Sequence, residues 1–178
     1  MRGGHQMTID AENGMVYLLG GWDGKRDLAD FWCYSIMHQQ WRCLSLDTRT
    51  QGGPGPRSCH KIVYDPASRS IFLLGRYVDS DARGKGPFVS DFYRFHTVQE
   101  QWVKISSNTL EEGGPHLIYD HQMVVDSEQS ILWVFGGRTI AADEKDNMYS
   151  GLYKYSIKTN RWQLIRYFLL HVGLEQAL

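Results

Sequence analysis

The hydrophobic pattern of this chain is a short apolar run that occurs three times, each time followed at once by a glycine. The runs occupy residues 16–19, 71–74 and 132–135. Continuous runs of four apolar residues, without polar alternation, are typical of short strands that are buried on both faces. The pattern therefore predicts three equivalent buried strands.

A fixed motif surrounds each apolar run and consists of a His, the closing Gly, a doublet that begins with Phe or Leu, and a Trp. The members are His5, Gly20, Phe31 and Trp41, then His60, Gly75, Phe92 and Trp102, then His121, Gly136, Leu152 and Trp162. His to Gly is 15 residues and doublet to Trp is 10 in every copy, whereas Gly to doublet is 11, 17 or 16. Constant segments with one variable step indicate a repeated supersecondary unit that carries a functional loop.

Each copy contains four segments with strand character. Asp10, Asp65 and Asp126 stand five residues after their His, where an Asp side chain predicts a tight turn between the first and second strands. The doublet begins the third strand and the Trp begins the fourth. Four short strands per unit, repeated in tandem, predict an all-β fold in which three four-stranded antiparallel blades form part of a β-propeller.

The order of these residues resembles the kelch-repeat family. The matching residues are Gly20, Gly21, Asp30, Phe31, Trp32, Tyr34 and Trp41 in the first copy and Gly136, Gly137, Tyr155 and Trp162 in the third. The second copy departs from the family pattern because it has Gly75-Arg76 in place of two glycines. The resemblance implies a kelch β-propeller.

Within that family the chain is similar to the muskelin type of kelch protein. The similar segments are residues 2–7, 20–24, 27–32, 57–61, 74–77, 91–94 and 120–123. The Gly75-Arg76 pair is itself muskelin-like, and the resemblance extends over about three kelch repeats in residues 1–166.

The repeat predicts blade 1 in residues 1–45, a linker and blade 2 in residues 46–106, and a linker and blade 3 in residues 107–166. Residues 167–178 form a tail that does not match the pattern. Propellers close with about 4 to 8 blades, so three blades are expected to be a fragment, an alternative transcript or the product of an incomplete gene model. Alternatively, two chains close a six-bladed ring by twofold pairing.

Strand direction predicts which face of the blades binds partners. In an antiparallel blade, the loops between strands 2 and 3 and the links between blades lie on the same face, and here these segments are the long ones. Loops on a rigid scaffold commonly carry binding residues, and exposed aromatic and Arg side chains suit protein interfaces. The candidate partner-binding residues of this long-loop face are Trp22, Asp23, Lys25, Arg26, Asp27, Arg76, Tyr77, Asp79, Arg83, Arg138, Asp143 and Glu144.

Other residues suggest chemistry less strongly. His5, His60 and His121 could line a channel and bind a metal, but a residue that recurs once per repeat favours a packing or hydrogen-bonding role. The fixed place of Trp41, Trp102 and Trp162 predicts the core between blades. Because hydrolase, zinc-protease and phosphate-loop motifs are absent from the sequence, we predict no catalytic residue, no metal site and no cofactor.

Composition excludes several classes of partner. With 19 basic and 20 acidic residues the net charge is −1, which favours neither nucleic acid nor an anionic membrane surface. No apolar run is long enough to predict a membrane span. The three cysteines are an odd number without metal-binding spacing, so we expect reduced thiols in a cytoplasmic protein.

The predicted function is a non-catalytic scaffold or adaptor for protein–protein interactions. The muskelin resemblance implies a role in a CTLH-type E3 ubiquitin ligase assembly and in cell spreading and cytoskeletal organisation. It implies E3 ligase subunits and cytoskeletal or adhesion-related proteins as partners, and open blade edges add possible self-association. The alternatives are a small-molecule or metal-dependent kelch enzyme built on the channel, and a truncated fragment without function.

Overall fold

Three four-stranded antiparallel sheets follow one another along the chain. The computed structural model describes residues 1–79, 88–140 and 150–166. In every sheet the strands are hydrogen-bonded in chain order, so each sheet is a meander. Within the described residues the sheets do not close into a ring. This arrangement confirms the predicted all-β fold with three tandem antiparallel blades.

The strands agree with the predicted order within each repeat. The first sheet contains β1 (Gln6–Asp10), β2 (Met15–Trp22), β3 (Asp27–Ser35) and β4 (Gln40–Ser45). The second sheet contains β5 (Lys61–Asp65), β6 (Ser70–Leu74), β7 (Phe92–His96) and β8 (Gln101–Ser106). The remaining strands are β9 (Ile118–Tyr119), β10 (Gln122–Asp126), β11 (Ile131–Phe135), β12 (Arg138–Thr139), β13 (Leu152–Ser156) and β14 (Arg161–Arg166). The third sheet consists of β10, β11, β13 and β14, while β9 pairs with β12.

The Asp residues form the tight turns that their position predicts. The Asn13 amide donates to Asp10 Oδ1 at 3.2 Å, the Ser68 amide to Asp65 Oδ2 at 3.0 Å, and the Gln129 amide to Asp126 Oδ1 at 3.0 Å. The same side-chain cap thus joins strands 1 and 2 in each blade.

The first interface between blades is an apolar cluster around Phe31. Its ring centroid lies 4.8 Å from that of Phe95 and 5.4 Å from that of Trp102. The buried residues of this cluster are Tyr17, Leu19, Phe31 and Cys33 from the first blade and Ile62, Tyr64, Ile71, Leu73, Tyr93, Phe95 and Trp102 from the second. The continuous apolar run of β6 is buried on both faces because it contributes to this interface and to the next one.

The second interface repeats the first with Phe92 in the place of Phe31. The Phe92 ring lies 4.9 Å from Tyr155 and 5.2 Å from Trp162. The buried residues of this interface are Phe72, Leu74, Phe92, Ile118, Met123, Leu132, Val134, Tyr153, Tyr155 and Trp162. The predicted core positions of Trp102 and Trp162 are therefore confirmed.

The same prediction is wrong for Trp41, whose side chain is 50% exposed. Trp41 is the second residue of β4, as Trp102 is of β8. Its ring packs on that of Tyr34 in the same sheet, with centroids 5.1 Å apart. It remains exposed because no described blade lies against this side of the first sheet.

The link segments between blades contain a short 3-10 helix that the sequence analysis did not predict. These helices span Thr48–Gln51 and Thr109–Glu112. The hydroxyl of Thr48 donates to the Pro54 carbonyl at 2.5 Å, and that of Thr109 donates to the Pro115 carbonyl at 2.6 Å. This repeated turn explains why both links have the same length.

The first loop between strands 2 and 3 is also shorter than predicted. The variable step between Gly20 and Phe31 predicted a long loop, but β2 continues through Trp22 and β3 begins at Asp27, with those two residues paired. Only the turn 23–26 remains, because the ladder continues past a register shift between Leu19 and Gly21.

Two further findings concern membrane-spanning helices and the cysteines. The described residues contain no helix with the length and hydrophobicity needed to cross a membrane. Cys33, Cys43 and Cys59 are free, and they are buried, exposed and half-buried respectively.

Candidate functional site

A buried ion pair fixes the strand ends beneath the long-loop face. Arg57 is completely buried, and its two terminal nitrogens donate to the Asp91 carboxylate at 3.1 and 2.9 Å. The same guanidinium donates to the carbonyls of Gly75 and Gly55 at 3.3 and 3.0 Å. Burial opposes ionisation of Asp91, but the charge and hydrogen bonds of Arg57 outweigh it and lower the pKa of this carboxyl.

The first blade repeats this ion pair and the third blade replaces it. Arg2 donates to Asp30 at 2.8 and 2.7 Å and to the Gly20 carbonyl at 2.9 Å. In the third copy the equivalent positions are Ile118 and Gly151. Sequence reasoning missed this pair, although the signal was present: an Arg three residues before the His occurs only in the copies with an Asp before the doublet.

Four of the predicted partner-binding residues meet in one pocket between the first two blades. The pocket has a volume of about 310 Å³. Its lining residues are Gly3, Gly4, Trp22, Asp27, Ser58, Cys59, Tyr77 and Asp79. We refer to it as the inter-blade pocket. Trp22 and Asp27 come from the tip of the first blade, whereas Tyr77 and Asp79 follow the second strand of the next blade.

Backbone hydrogen bonds hold the walls of the inter-blade pocket. Gly3 and Trp22 exchange two amide–carbonyl hydrogen bonds, at 2.9 and 2.8 Å. The Cys59 amide donates to the Gly4 carbonyl at 2.8 Å, and the Tyr77 amide donates to the Ser58 carbonyl at 2.9 Å. These bonds join four separate chain segments, so the pocket exists before any partner binds.

Two carboxylates line the inter-blade pocket, those of Asp27 and Asp79. Among the residues that the structure describes, no Lys or Arg lines it. Burial raises the pKa of Asp27, although the nearby Ser58 hydroxyl and Arg76 guanidinium partly offset this effect. Asp27 Oδ1 is buried and has no hydrogen-bond partner among the described residues.

The aromatic side chains of the pocket differ in exposure. The Trp22 side chain is 44% exposed, which is unusual for a large aromatic residue on a strand. Tyr77 is half-buried and packs edge-on against Tyr119, with ring centroids 5.2 Å apart. Behind Tyr77 lies a small apolar cluster formed mainly by Leu117, Tyr119 and Ile140. Trp22 is thus open to a partner, while Tyr77 is held in place.

The turn at the tip of the first blade contains three more of the predicted residues. Asp23 Oδ1 accepts hydrogen bonds from the amides of Lys25 and Arg26 at 2.8 and 3.0 Å. These backbone hydrogen bonds lower the pKa of Asp23. Lys25 and Arg26 are exposed. Asp23 therefore stabilises the turn, and Arg26 lines a separate shallow hollow that also includes Asp30, Asp47 and Arg49.

The remaining predicted residues do not join the pocket. Arg76 is half-buried behind it, its Nε has no hydrogen-bond partner in the described parts of the chain, and burial lowers its pKa. Arg138 lies in β12, opposite Tyr119, on the third-blade side of the face. Arg83, Asp143 and Glu144 lie outside the described residues.

The recurring histidines pack tightly beneath glycines of the preceding blade. A Cβ atom on Gly20 would lie 3.3 Å from His60 Cε1, and one on Gly75 would lie 2.7 Å from His121 Cε1. Both imidazoles are completely buried without hydrogen-bond partners in the described regions. Burial lowers the pKa of His60 well below its usual value and that of His121 to about 3, so both are neutral.

Metal ligation has no geometric support in the part of the chain that the structure describes. Within residues 1–79, 88–140 and 150–166, no group of three or more His, Cys, Asp or Glu side chains is arranged to hold a metal ion.

Comparison with known proteins agrees with this architecture. Residues 13–45, which span β2, β3 and β4, match the kelch motif. Over 164 residues, 91% of this chain, the sequence is 35% identical to Mei4-dependent protein 6 of Schizosaccharomyces pombe. The chain spans 23% of the length of that relative. The kelch motif thus lies in the first sheet, and the other two sheets repeat its four-stranded antiparallel order. The similarity to the relative extends over nearly the whole chain.

Proposed function

We propose that this chain is a non-catalytic protein-interaction module that binds its partner through the long-loop face. Kelch repeats commonly mediate protein–protein interactions, and kelch-repeat proteins are generally non-catalytic scaffolds. The observation that carries the proposal is the inter-blade pocket, where exposed Trp22 stands beside Tyr77 on a hydrogen-bonded frame. Aromatic side chains in preformed pockets supply much of the binding free energy in protein interfaces.

The finer part of the proposal concerns the cellular role. The muskelin-like segments, including the Gly75-Arg76 pair, support a scaffold or adaptor in a CTLH-type E3 ubiquitin ligase assembly in the cytoplasm, linked to cell spreading and cytoskeletal organisation. The partners would then be E3 ligase subunits and cytoskeletal or adhesion-related proteins.

The test compares partner binding by the unaltered chain with that by a Trp22→Ala, Tyr77→Ala double variant. Arg76 is unsuitable for this purpose because it is half-buried, and its removal would disturb the packing behind the pocket. Affinity purification should recover E3 ligase subunits, and the double variant should bind the recovered partner at least about tenfold more weakly.

A matched control is Met37→Ala, which removes an 84% exposed side chain from the opposite end of the same blade. This variant should bind like the unaltered chain. Equal partner binding by a well-folded Trp22→Ala, Tyr77→Ala variant would contradict the assignment of the binding face.

A further inference from the structure

The contact between a glycine and the histidine of the next sheet leaves one glycine and one histidine unmatched. Gly136 closes the third apolar run, and a Cβ atom on it would meet no atom of the described residues within 4 Å. His5 precedes the first sheet and is half-buried, whereas His60 and His121 are completely buried beneath their glycines. The third sheet therefore has the glycine side of this contact, and the first sheet has the histidine side.

A backbone hydrogen bond between neighbouring sheets is unmatched in the same way. The donor and acceptor are Gly21 and Arg57 in the first interface, at 2.9 Å, and Arg76 and Ile118 in the second, at 3.0 Å. The corresponding donor of the third sheet is the Gly137 amide, and the corresponding acceptor of the first repeat is the Arg2 carbonyl. Neither group has a hydrogen-bond partner in the part of the chain that the structure describes.

A second series of backbone hydrogen bonds runs from repeat to repeat. The Cys59 amide donates to the Gly4 carbonyl at 2.8 Å, and the Asp120 amide donates to the Cys59 carbonyl at 3.1 Å. Within residues 1–79, 88–140 and 150–166, the Gly4 amide and the Asp120 carbonyl have no partner. The series thus begins with a donor and ends with an acceptor that are complementary to each other.

The outward sides of the first and third sheets, which face away from the other sheets, are apolar. Trp133 of the third sheet is half-buried and occupies the place of Phe72, which is buried in the second interface. Val124, paired with Trp133, is 58% exposed. On the first sheet, Trp41 is 50% exposed and occupies the place of Trp102, which is buried in the first interface. Each outward side therefore has one half of the composition of an interface between sheets.

We infer that the outward side of the third sheet binds the outward side of the first sheet in a second copy of this chain. His5 of one copy then lies beneath Gly136 of the other, and the Arg2 carbonyl accepts the Gly137 amide. The same contact made in both directions joins two copies into a twofold ring of six sheets, within the range of about 4 to 8 that closes a propeller. This interface is distinct from the long-loop face and goes beyond the proposed function.

Other arrangements satisfy fewer of these groups. Two first sheets that face each other would cover Trp41 in both copies but would leave Gly136 and the Gly137 amide without their counterparts. A partner of unrelated sequence would have to supply a histidine, a carbonyl and an amide in the register that the first repeat already has. A second copy supplies all three and places apolar surface against apolar surface.

The test is size exclusion with light scattering on the full 178-residue chain, from about 1 to about 100 μM. We expect the mass to reach twice the 20.5 kDa of one chain and to go no higher, because the closed ring leaves no open side. Amide hydrogen exchange reports on the contact itself. The Gly137 amide should exchange at least about tenfold more slowly at concentrations where the dimer predominates.

One variant on each side shows which sheets meet. In the two described interfaces, a Cβ atom on the glycine would lie 3.3 or 2.7 Å from the histidine, so Gly136→Ala should weaken the dimer at least about tenfold. Trp41→Gln should weaken it by a similar factor from the other side. If Gly136→Ala fails to fold, Val124→Lys tests the same sheet at an exposed position.

The matched control is Gly14→Ala, in the turn between β1 and β2. Gly14 has a φ of +61°, close to the +65° of Gly136, so both substitutions carry the same backbone strain. A Cβ atom on Gly14 would lie 3.8 Å from its nearest listed neighbour, Ile36 Cβ, which is an ordinary contact. This variant should dimerise like the unaltered chain.

The outcomes decide between the arrangements. A mass of one chain at all concentrations, or a mass that exceeds two chains, would overturn the ring. A dimer that Trp41→Gln weakens but that neither Gly136→Ala nor Val124→Lys affects would also overturn it, because the first sheets would then pair with each other. Weakening from both sides, with Gly137 protected in the dimer, would support it. None of these readouts depends on partner binding through Trp22 and Tyr77, so this inference and the proposed function can fail independently.

Discussion

At the scale of single residues, the ion pair of Arg57 with Asp91 bears directly on the stability of the second blade. The Arg57 guanidinium is completely buried, and it donates to a carboxylate and two carbonyls and lies over the face of Tyr93, whose centroid is 5.7 Å away. A buried charge of this kind is tolerated only because its partners are complete. In the third blade, Ile118 and Gly151 fill the equivalent positions without any charge.

We predict that Arg57→Ile destabilises the protein by about 3–5 kcal/mol because it leaves the half-buried Asp91 carboxylate without its partner. Asp91→Gly should also be destabilising, for the reciprocal reason. The double variant copies the third blade and should cost less than the sum of the two single changes, by about 1–3 kcal/mol. Urea unfolding of the four proteins measures this difference. Strict additivity would mean that the two side chains stabilise the blade independently.

The buried histidines make stability depend on pH. Because the pKa of His121 is lowered to about 3 and that of His60 is well below its usual value, the unfolded chain takes up protons before the folded chain does. Above about pH 6.5 both histidines are neutral in the folded and in the unfolded chain. Below that value the unfolded chain binds protons that the folded chain does not, so stability falls as the pH decreases.

In this range each of the two histidines should lower the free energy of unfolding by about 1.4 kcal/mol per pH unit. Urea unfolding at several pH values from about 7.5 to about 5 measures the slope. His121→Leu should reduce the slope by about half, whereas His38→Gln, an exposed control, should not alter it. A stability that does not change over this range would contradict the burial of both rings.

At the scale of elements, the segment before β1 shapes the inter-blade pocket. Gly4 has a φ of +61°, and a Cβ atom there would lie 3.1 Å from Ser58 Cβ and 3.2 Å from Cys59 Sγ. Gly3 next to it has no positive φ, and a Cβ atom there would meet nothing within 4 Å. The two neighbouring glycines therefore form a matched pair for substitution.

We expect Gly4→Ala to lower the free energy of unfolding by about 1–2 kcal/mol, because the side chain is strained and displaces the wall at Ser58 and Cys59. Gly3→Ala should change it by less than about 0.5 kcal/mol. Thermal and urea unfolding provide the comparison. Equal effects of the two substitutions would show that the pocket wall at Ser58 and Cys59 can shift without loss of stability.

Much of the element structure followed from the sequence, for physical reasons that are local. Four-residue apolar runs and Asp-capped turns depend on neighbours in the chain, so β2, β6 and β11 and their turns were predicted correctly. The extension of the first hairpin to Trp22 and Asp27 was missed because ladder pairing, rather than composition, decides where a loop begins.

The candidate site was predicted only as a set of residues on one face. That Trp22 and Asp27 meet Tyr77 and Asp79 depends on how the second blade packs against the first, and the repeat pattern does not contain that information. The buried position of Arg76 was missed for the same reason, since the Ile118 carbonyl of the next repeat accepts its backbone amide at 3.0 Å. Predicted binding at the individual residues stays a prediction.

At the scale of the whole molecule, the outer side of the first sheet is an apolar face. Met7, Ile9 and Trp41 are 47%, 50% and 50% exposed. They occupy the places that Ile62, Tyr64 and Trp102 occupy in the second blade, where all three are buried in the first interface. The outer face of the first sheet therefore has the composition of an interface between blades.

We predict that the purified chain self-associates through this face, since contiguous exposed apolar surface favours association. Light scattering after size exclusion should give a mass above 20.5 kDa that increases with concentration. Trp41→Gln should shift the mass toward that of the monomer, and Met37→Gln, in the exposed turn of the same blade, should not. A monomer at all concentrations would contradict this expectation.

The packing of His60 under Gly20, and of His121 under Gly75, has a consequence for how such molecules can be recombined. Each imidazole occupies the space that the glycine leaves free in the preceding sheet. The glycine and the histidine of a pair must therefore come from the same parent protein. A chimera cut at the sheet boundaries would separate them and join a His from one parent to a glycine from another. The exchangeable module is therefore offset from the blade: it begins just after one such His and ends at the next, so that the glycine and the His that covers it come from the same parent.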